Sequence, residues 1–264
     1  MKTKLTAVCL GLLLLASCGG GGTDGGDDTA NGSPDPSISA NAPEIDATIP
    51  TDVKEAPEGG VNKPKEGAYM YTLASETTNA ATPDAPARTS PPDAEWTSTI
   101  SYDGDVVVTK DKTSEGSAVS TVERTWDDDA VRELSFGTKT SEGEGSCTFD
   151  EPVVVLKLPI EEGKLPKQDF KGEGVNCNGE RTITVEKRDD VTDANGHVWP
   201  AWRIKVETTV KATGLTKTSS DTRWFSPDLG KDVRVKGITE YVNPSGGVAA
   251  RAVSEIALKE YPKA

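Results

Sequence analysis

The sequence predicts an all-β protein: one antiparallel sheet of about ten strands, curled into a half-barrel or barrel and stapled by a single disulfide. Three observations carry this. From Trp96 onward, apolar residues recur with a period of two, the spacing of side chains along a strand. The runs are short and separated by turn pairs such as Asp103-Gly104 and Asn195-Gly196, residues that tolerate the positive φ a tight hairpin needs. No segment carries a clear helical period.

The elements follow in order. Ala68 to Leu73 is a short β-like run opening the ordered domain near Gly67. A polar loop from Ser75 to Asp93 carries Pro83, Pro86, Pro91 and Pro92. Loops of that length inside a domain are uncommon. Trp96–Tyr102 and Asp105–Lys110 flank the Asp103-Gly104 turn. Val119–Trp126 and Ala130–Thr140 flank Asp127-Asp128-Asp129. Trp202 to Val210 is the clearest strand: Trp202, Ile204, Val206 and Val210 alternate with Arg203, Lys205, Glu207 and Thr209. That pattern suits an antiparallel sheet with one face in water. Arg181–Lys187 is its expected partner, Leu215–Trp224 and Val233–Tyr241 follow, and Val248–Tyr261 is read as the last strand. Its Ala, Glu and Lys content would also suit a helix, but Pro244 to Gly247 makes a turn back from the strand before it.

Residues 1–17 have the layout of an export signal. Lys2 and Lys4 precede an apolar stretch from Leu5 to Ala16. It is too short for the roughly 20 residues of a membrane-spanning helix. Leu15-Ala16-Ser17-Cys18 resembles the lipobox of bacterial lipoproteins. That resemblance implies cleavage before Cys18 and a lipid on its thiol, which would hold the chain at the extracytoplasmic face of the cell membrane. Two acyl chains anchor stably where one does not. Residues 18–66 are rich in Gly, Pro and Asp, with isolated apolar residues such as Val53 and Val61. They are expected to be a disordered tether reaching on the order of 40 Å. The ectodomain is then 67–264.

Cys147 and Cys177 are the cysteines left in that ectodomain. An even pair in an oxidising exterior points to a disulfide. A metal site with His197 as a further ligand lacks the paired spacing such sites use. His197, the single histidine, stands beside a turn, where a solvated or locally bonded imidazole is expected.

The formal net charge of −14 argues against nucleic acid and against anionic lipid head groups as partners. No nucleophile elbow is found: Gly143-Glu144-Gly145-Ser146-Cys147 fails at its last position. Asp189, Asp190, Asp193 and Asn195 before Gly196 have some likeness to a calcium loop, but Val191 and Trp202 occupy ligand positions. Neither enzyme activity, nor a cofactor, nor a metal is expected.

Trp199, Trp202, Trp224 and Phe225 are candidate contacts for an apolar ligand on the concave side of the sheet. Their alternative role is core and rim packing. Trp224-Phe225-Ser226-Pro227-Asp228-Leu229-Gly230-Lys231-Asp232-Val233-Arg234 resembles a segment near the end of many uncharacterised bacterial envelope β-proteins. Phe136, Ser146-Cys147, Pro152 to Pro159 and Cys177 resemble actinobacterial lipoproteins of unknown function. The resemblance spans about residues 67–262 and implies an antiparallel β-domain at the cell envelope. It brings no catalytic residue. The expectation for function is a lipid-anchored interaction or structural module with an envelope partner. The alternative is a carrier of a lipid or other apolar ligand.

Overall fold

The computed structural model describes residues 50–80, 86–114, 116, 118–140, 143–175, 177–212 and 214–263. The signal segment, Cys18 and the tether as far as residue 49 lie outside them, as does Pro83. The described residues contain no helix. Their strands are β1 (Gly67–Asn79), β2 (Arg88–Thr89), β3 (Glu95–Asp103), β4 (Val106–Thr113), β5 (Ala118–Trp126), β6 (Ala130–Thr140), β7 (Gly143–Lys157) and β8 (Gly163–Lys164). Then come β9 (Gln168–Phe170), β10 (Gly172–Gly174), β11 (Gly179–Thr192), β12 (Val198–Ala212), β13 (Leu215–Ser226), β14 (Lys231–Val242) and β15 (Val248–Glu260).

All fifteen belong to one antiparallel sheet, more than the ten or so expected. Ten lie where the period of two put them. The additions are the short β2, β8, β9 and β10, and the long β7. The region of β7 gives no clean alternation because it opens on Gly143-Glu144-Gly145 and carries Pro152. Pro152 is tolerated because the ladder is broken there: Ser135 faces Thr148 and Glu133 faces Val153, so β7 bulges between them. The polar loop after Leu73 is also shorter than expected, since β1 runs on to Asn79 and β2 pairs beside it.

β1 lies between β3 and β15. Hairpins then run outward as β3-β4-β5-β6-β7 on one side and β15-β14-β13-β12-β11 on the other. The two outer long strands, β7 and β11, do not pair, so the ladder is not closed into a barrel. Residues 168–174 span the seam instead. Their first half, β9, bonds to β11, and their second half, β10, bonds to β7. The Gln168 carboxamide imitates a backbone unit, accepting from Val154 N and donating to Val154 O at 3.0 Å each. The Cys147–Cys177 disulfide, with Cα atoms 5.3 Å apart, staples the same seam. Phe149 and Phe170 meet edge to face at 5.4 Å beside it.

One end of the curled sheet is crossed by residues 50–66, part of the stretch expected to be tether. Pro64 is fully buried, Val53 packs on the cluster around Tyr69 and Leu258, and Val61 packs on the cluster around Ile183 and Ile204. This strap is hydrogen-bonded to the β13–β14 turn: Asn62 N donates to Pro227 O at 2.9 Å and Ala56 N to Asp228 Oδ1 at 2.8 Å. The contact is close enough to require Gly230, whose φ is +63°. A Cβ there would lie 2.1 Å from the Asn62 carbonyl oxygen. Local composition carries no sign of this because the strap's partners on the β13–β14 turn are more than 150 residues away and its own apolar content is low.

Candidate functional site

The curled sheet forms a partly open cavity of about 370 Å³, lined by strands from both halves of the molecule. This lumen has two unlike walls. On one side β6, β7, β11 and β12 contribute Val131, Leu156, Ile183, Ile204 and Val206, with the Glu133–Arg181 ion pair among them. Phe136, Phe149, Phe170 and Val210 extend that apolar wall past the disulfide. On the other side β3, β4, β5, β13 and β14 present Ser98, Thr109, Asp111, Ser120, Arg124, Lys217, Ser219, Asp221, Arg223, Lys231 and Asp232.

The polar wall follows from the alternation of β13. Lys217, Ser219, Asp221, Arg223 and Phe225 all line the lumen. They sit opposite Val210, Thr208, Val206, Ile204 and Trp202 of β12 in register. Thr208 is the one polar residue among the inward positions from Ile204 to Val210, and it too lines the lumen.

Most lumen charges are paired, as buried charges must be. Glu133 is 5% exposed and takes Arg124 at 3.0 Å and Arg181 at 3.3 Å. Burial works to raise its carboxyl, but the guanidinium groups of Arg181 and Arg124 outweigh it and hold it below the usual range. Arg223 pairs with Asp232 at 2.8 Å, and that neighbour raises the guanidinium further. Lys231 donates to the buried Ser98 hydroxyl at 2.9 Å, and burial lowers its ammonium. Tyr71 donates to the Asp232 carbonyl at 3.0 Å. Burial raises the Asp221 carboxyl against the pull of Arg223 and Lys217.

Lys217 stands apart. Among the described residues its ammonium makes no hydrogen bond or ion pair, and Asp221 is the acid whose charge it feels. Lys217 is half-buried, and its side chain lines the lumen. Burial pushes the ammonium down to about 8. The Nε–H groups of Arg124 and Arg181 and the indole N–H of Trp126 are also buried without a partner among the described residues.

Of the four residues expected to touch an apolar ligand, only Phe225 lines the lumen. Trp199 is 1% exposed inside the cluster formed by Tyr69, Tyr71, Val233 and Leu258. Its indole donates to Asp193 Oδ2 at 2.9 Å and its ring meets Tyr261 edge-on at 5.3 Å. It is held there because the end of the β11–β12 hairpin reaches β15, where Ala194 N donates to the Leu258 carbonyl at 2.8 Å. Trp202 packs on the Ile183 and Ile204 cluster outside the cavity lining. Trp224 falls on the opposite face of β13 from Phe225, with the Arg234 guanidinium 5.8 Å from its ring centre. The core-packing role therefore describes these three tryptophans.

His197 is locally bonded, as expected: its Nδ1 lies 3.1 Å from Asp193 Oδ2. Asp193 also accepts from the backbone N–H groups of Asn195 and His197 at 2.8 and 3.0 Å. The acids that evoked a calcium loop are thus turned to separate tasks, with Asp189 3.6 Å from Arg203 and 2.6 Å from Lys187. Among the described residues, no group of three His, Cys, Asp or Glu side chains is placed to hold a metal. Asp127 and Asp129 clamp Arg132 at 2.6 and 2.7 Å across the β5–β6 turn.

The signal for the lumen was present in the sequence but not decisive. Leu215 to Ser226 is polar on both faces, so periodicity cannot say which face is enclosed. No protein-family model matches the chain, and no curated protein matches its sequence.

Proposed function

We propose that this chain is an envelope lipoprotein whose ectodomain binds a small amphiphile inside its curled sheet. The observation that carries the reading is a lumen whose lining is part apolar and part charged. Its volume of about 370 Å³ lies at the small end of the ~300–1,000 Å³ typical of small-molecule sites. That suits one single-chain molecule and not a multi-acyl lipid. A domain that served only as scaffold would gain more from a packed apolar interior than from charges facing a void. The cavity therefore favours the carrier reading over a docking or structural module, and the proposed role is binding, not catalysis. Anchoring through Cys18 is the part of the proposal that rests on the leader sequence alone.

The test is organic extraction of the full-length protein isolated from its own cells, with mass spectrometry of the released molecules. The acyl groups on Cys18 stay covalently attached and do not interfere. One amphiphilic species is expected near one per chain. It should be lost in a Val206→Trp variant, whose indole fills the lumen, with the far-ultraviolet circular dichroism unchanged. A wild-type chain that yields no stoichiometric species would remove the basis for the carrier reading. Incorporation of a labelled fatty acid into the wild type but not into Cys18→Ala checks the anchor.

A further inference from the structure

Building on the proposed binding role, we infer that the lumen's ligand is a single-chain carboxylate, its acid group held between Lys217 and Arg181 with the Thr208 and Ser219 hydroxyls beside it.

Register places these four groups together. Arg181 of β11 is opposite Thr208 of β12, and Thr208 is opposite Ser219 of β13, so the three form one row across the sheet. Lys217 stands on the same face of β13 two residues from Ser219. All four line the cavity.

The charge count selects an anion. The lumen carries five cations, Arg124, Arg181, Lys217, Arg223 and Lys231, against four acids, Asp111, Glu133, Asp221 and Asp232. The lumen thus carries one more positive than negative charge, in a chain whose formal net charge is −14. The surplus falls where partners are missing. Glu133 is shared by two arginines, the Arg181 Nε–H has no acceptor, and the Lys217 ammonium makes no ion pair among the described residues. One singly charged carboxylate would supply acceptors to both groups and bring the lumen to neutrality. A half-buried cation without an acceptor is held at some cost, and such a cost is typically retained at sites of function.

The apolar wall selects the remainder of the ligand. Phe170, whose ring centre lies 5.8 Å from the Arg181 guanidinium, and Phe149 line the lumen on one side of the Arg181–Thr208 row, and Ile183, Val206 and Ile204 form an apolar lane running from it on the other. A linear hydrocarbon chain fits this lane, and the volume limits it to one.

The experiment is calorimetric titration of the full-length protein with dodecanoate, dodecanol and dodecylammonium below their aggregation concentrations. Dodecanoate should bind at least about tenfold more tightly than dodecanol, the order expected when a charged group finds buried donors. Lys217→Met should erase most of that preference, dodecanoate affinity falling toward that of dodecanol. This variant removes a half-buried charge and is expected to fold. Thr208→Val, which keeps the side-chain shape, should weaken dodecanoate alone by a smaller factor. Equal affinity for acid and alcohol, or tightest binding of the ammonium, would overturn the carboxylate assignment and leave the lumen as a binding site. Failure of all three chains to bind would bring down the binding role itself.

Discussion

Asp193 shows how much one side chain can settle. Its carboxylate takes the Trp199 indole, the His197 ring and two backbone N–H groups, at distances from 2.8 to 3.1 Å. Asp193→Asn keeps the shape but replaces one acceptor oxygen with an amide NH₂. If the Oδ2 position becomes the NH₂, it faces the buried Trp199 N–H. If the amide flips, the backbone donors lose their acceptor instead. Either way a buried donor is left unsatisfied, and the expected loss is about 1–3 kcal/mol, readable as a lower urea midpoint with an unchanged slope. An unaltered midpoint would show that the β11–β12 tip is held by packing alone. The sequence placed His197 beside a turn, solvated or locally bonded, and the structure decides for the bond to Asp193. The role of Trp199 was not legible there. Its phase in β12 is odd, like Ala201, while Trp202, Ile204 and Val206 are even. Both faces of this strand are buried at different points along its length.

At the scale of elements, the seam matters most. β7 and β11 are joined by the 168–174 segment, the Gln168 carboxamide and the disulfide, with no direct strand pairing. Replacing Cys147 and Cys177 together by Ser opens a loop with a sequence separation of 30 residues. The chain-entropy account puts the cost at about 3–4 kcal/mol. Hydrogen exchange should rise first in β9 and β10, since they hold the seam with only a few ladder bonds each. Uniform acceleration across the whole sheet would mean that the seam unfolds with the rest and not before it. The cysteine pairing was legible because two cysteines in a chain expected to be exported have one simple outcome. The seam was not, since β9 and β10 are too short for any period to appear.

For the molecule as a whole, the half-buried Lys217 should leave a mark on the pH dependence of stability. Burial lowers its ammonium from 10.5 to about 8 in the folded state. Between those values the unfolded chain binds more protons, so this group makes stability rise with pH over that interval. Below about pH 8 it is protonated in both states, and the penalty is present in full. Lys217→Met should therefore stabilise the protein at pH 7 by about 1–3 kcal/mol. The gain should shrink as pH passes from about 8 toward 10.5. Thermal unfolding of both proteins at pH 7 and pH 10 checks this, and a gain independent of pH would place the ammonium in contact with bulk water. A residue that costs stability where Met would not is most simply understood as kept for binding.

The sequence by itself determined the fold class, ten strands and the turns between them, and the disulfide pairing. These depend on spacing within a few residues or on a pairing with one solution. Tertiary structure decided which face of each strand is enclosed. β13 is polar on both faces, and only the curl of the sheet turns Lys217, Ser219, Asp221 and Arg223 inward. It also decided that residues 50–66 cross one end of the sheet, through hydrogen bonds to partners more than 150 residues away. Periodicity reports the contrast between two faces of a strand. It is silent where both faces are polar, and that is where this protein places its lumen charges.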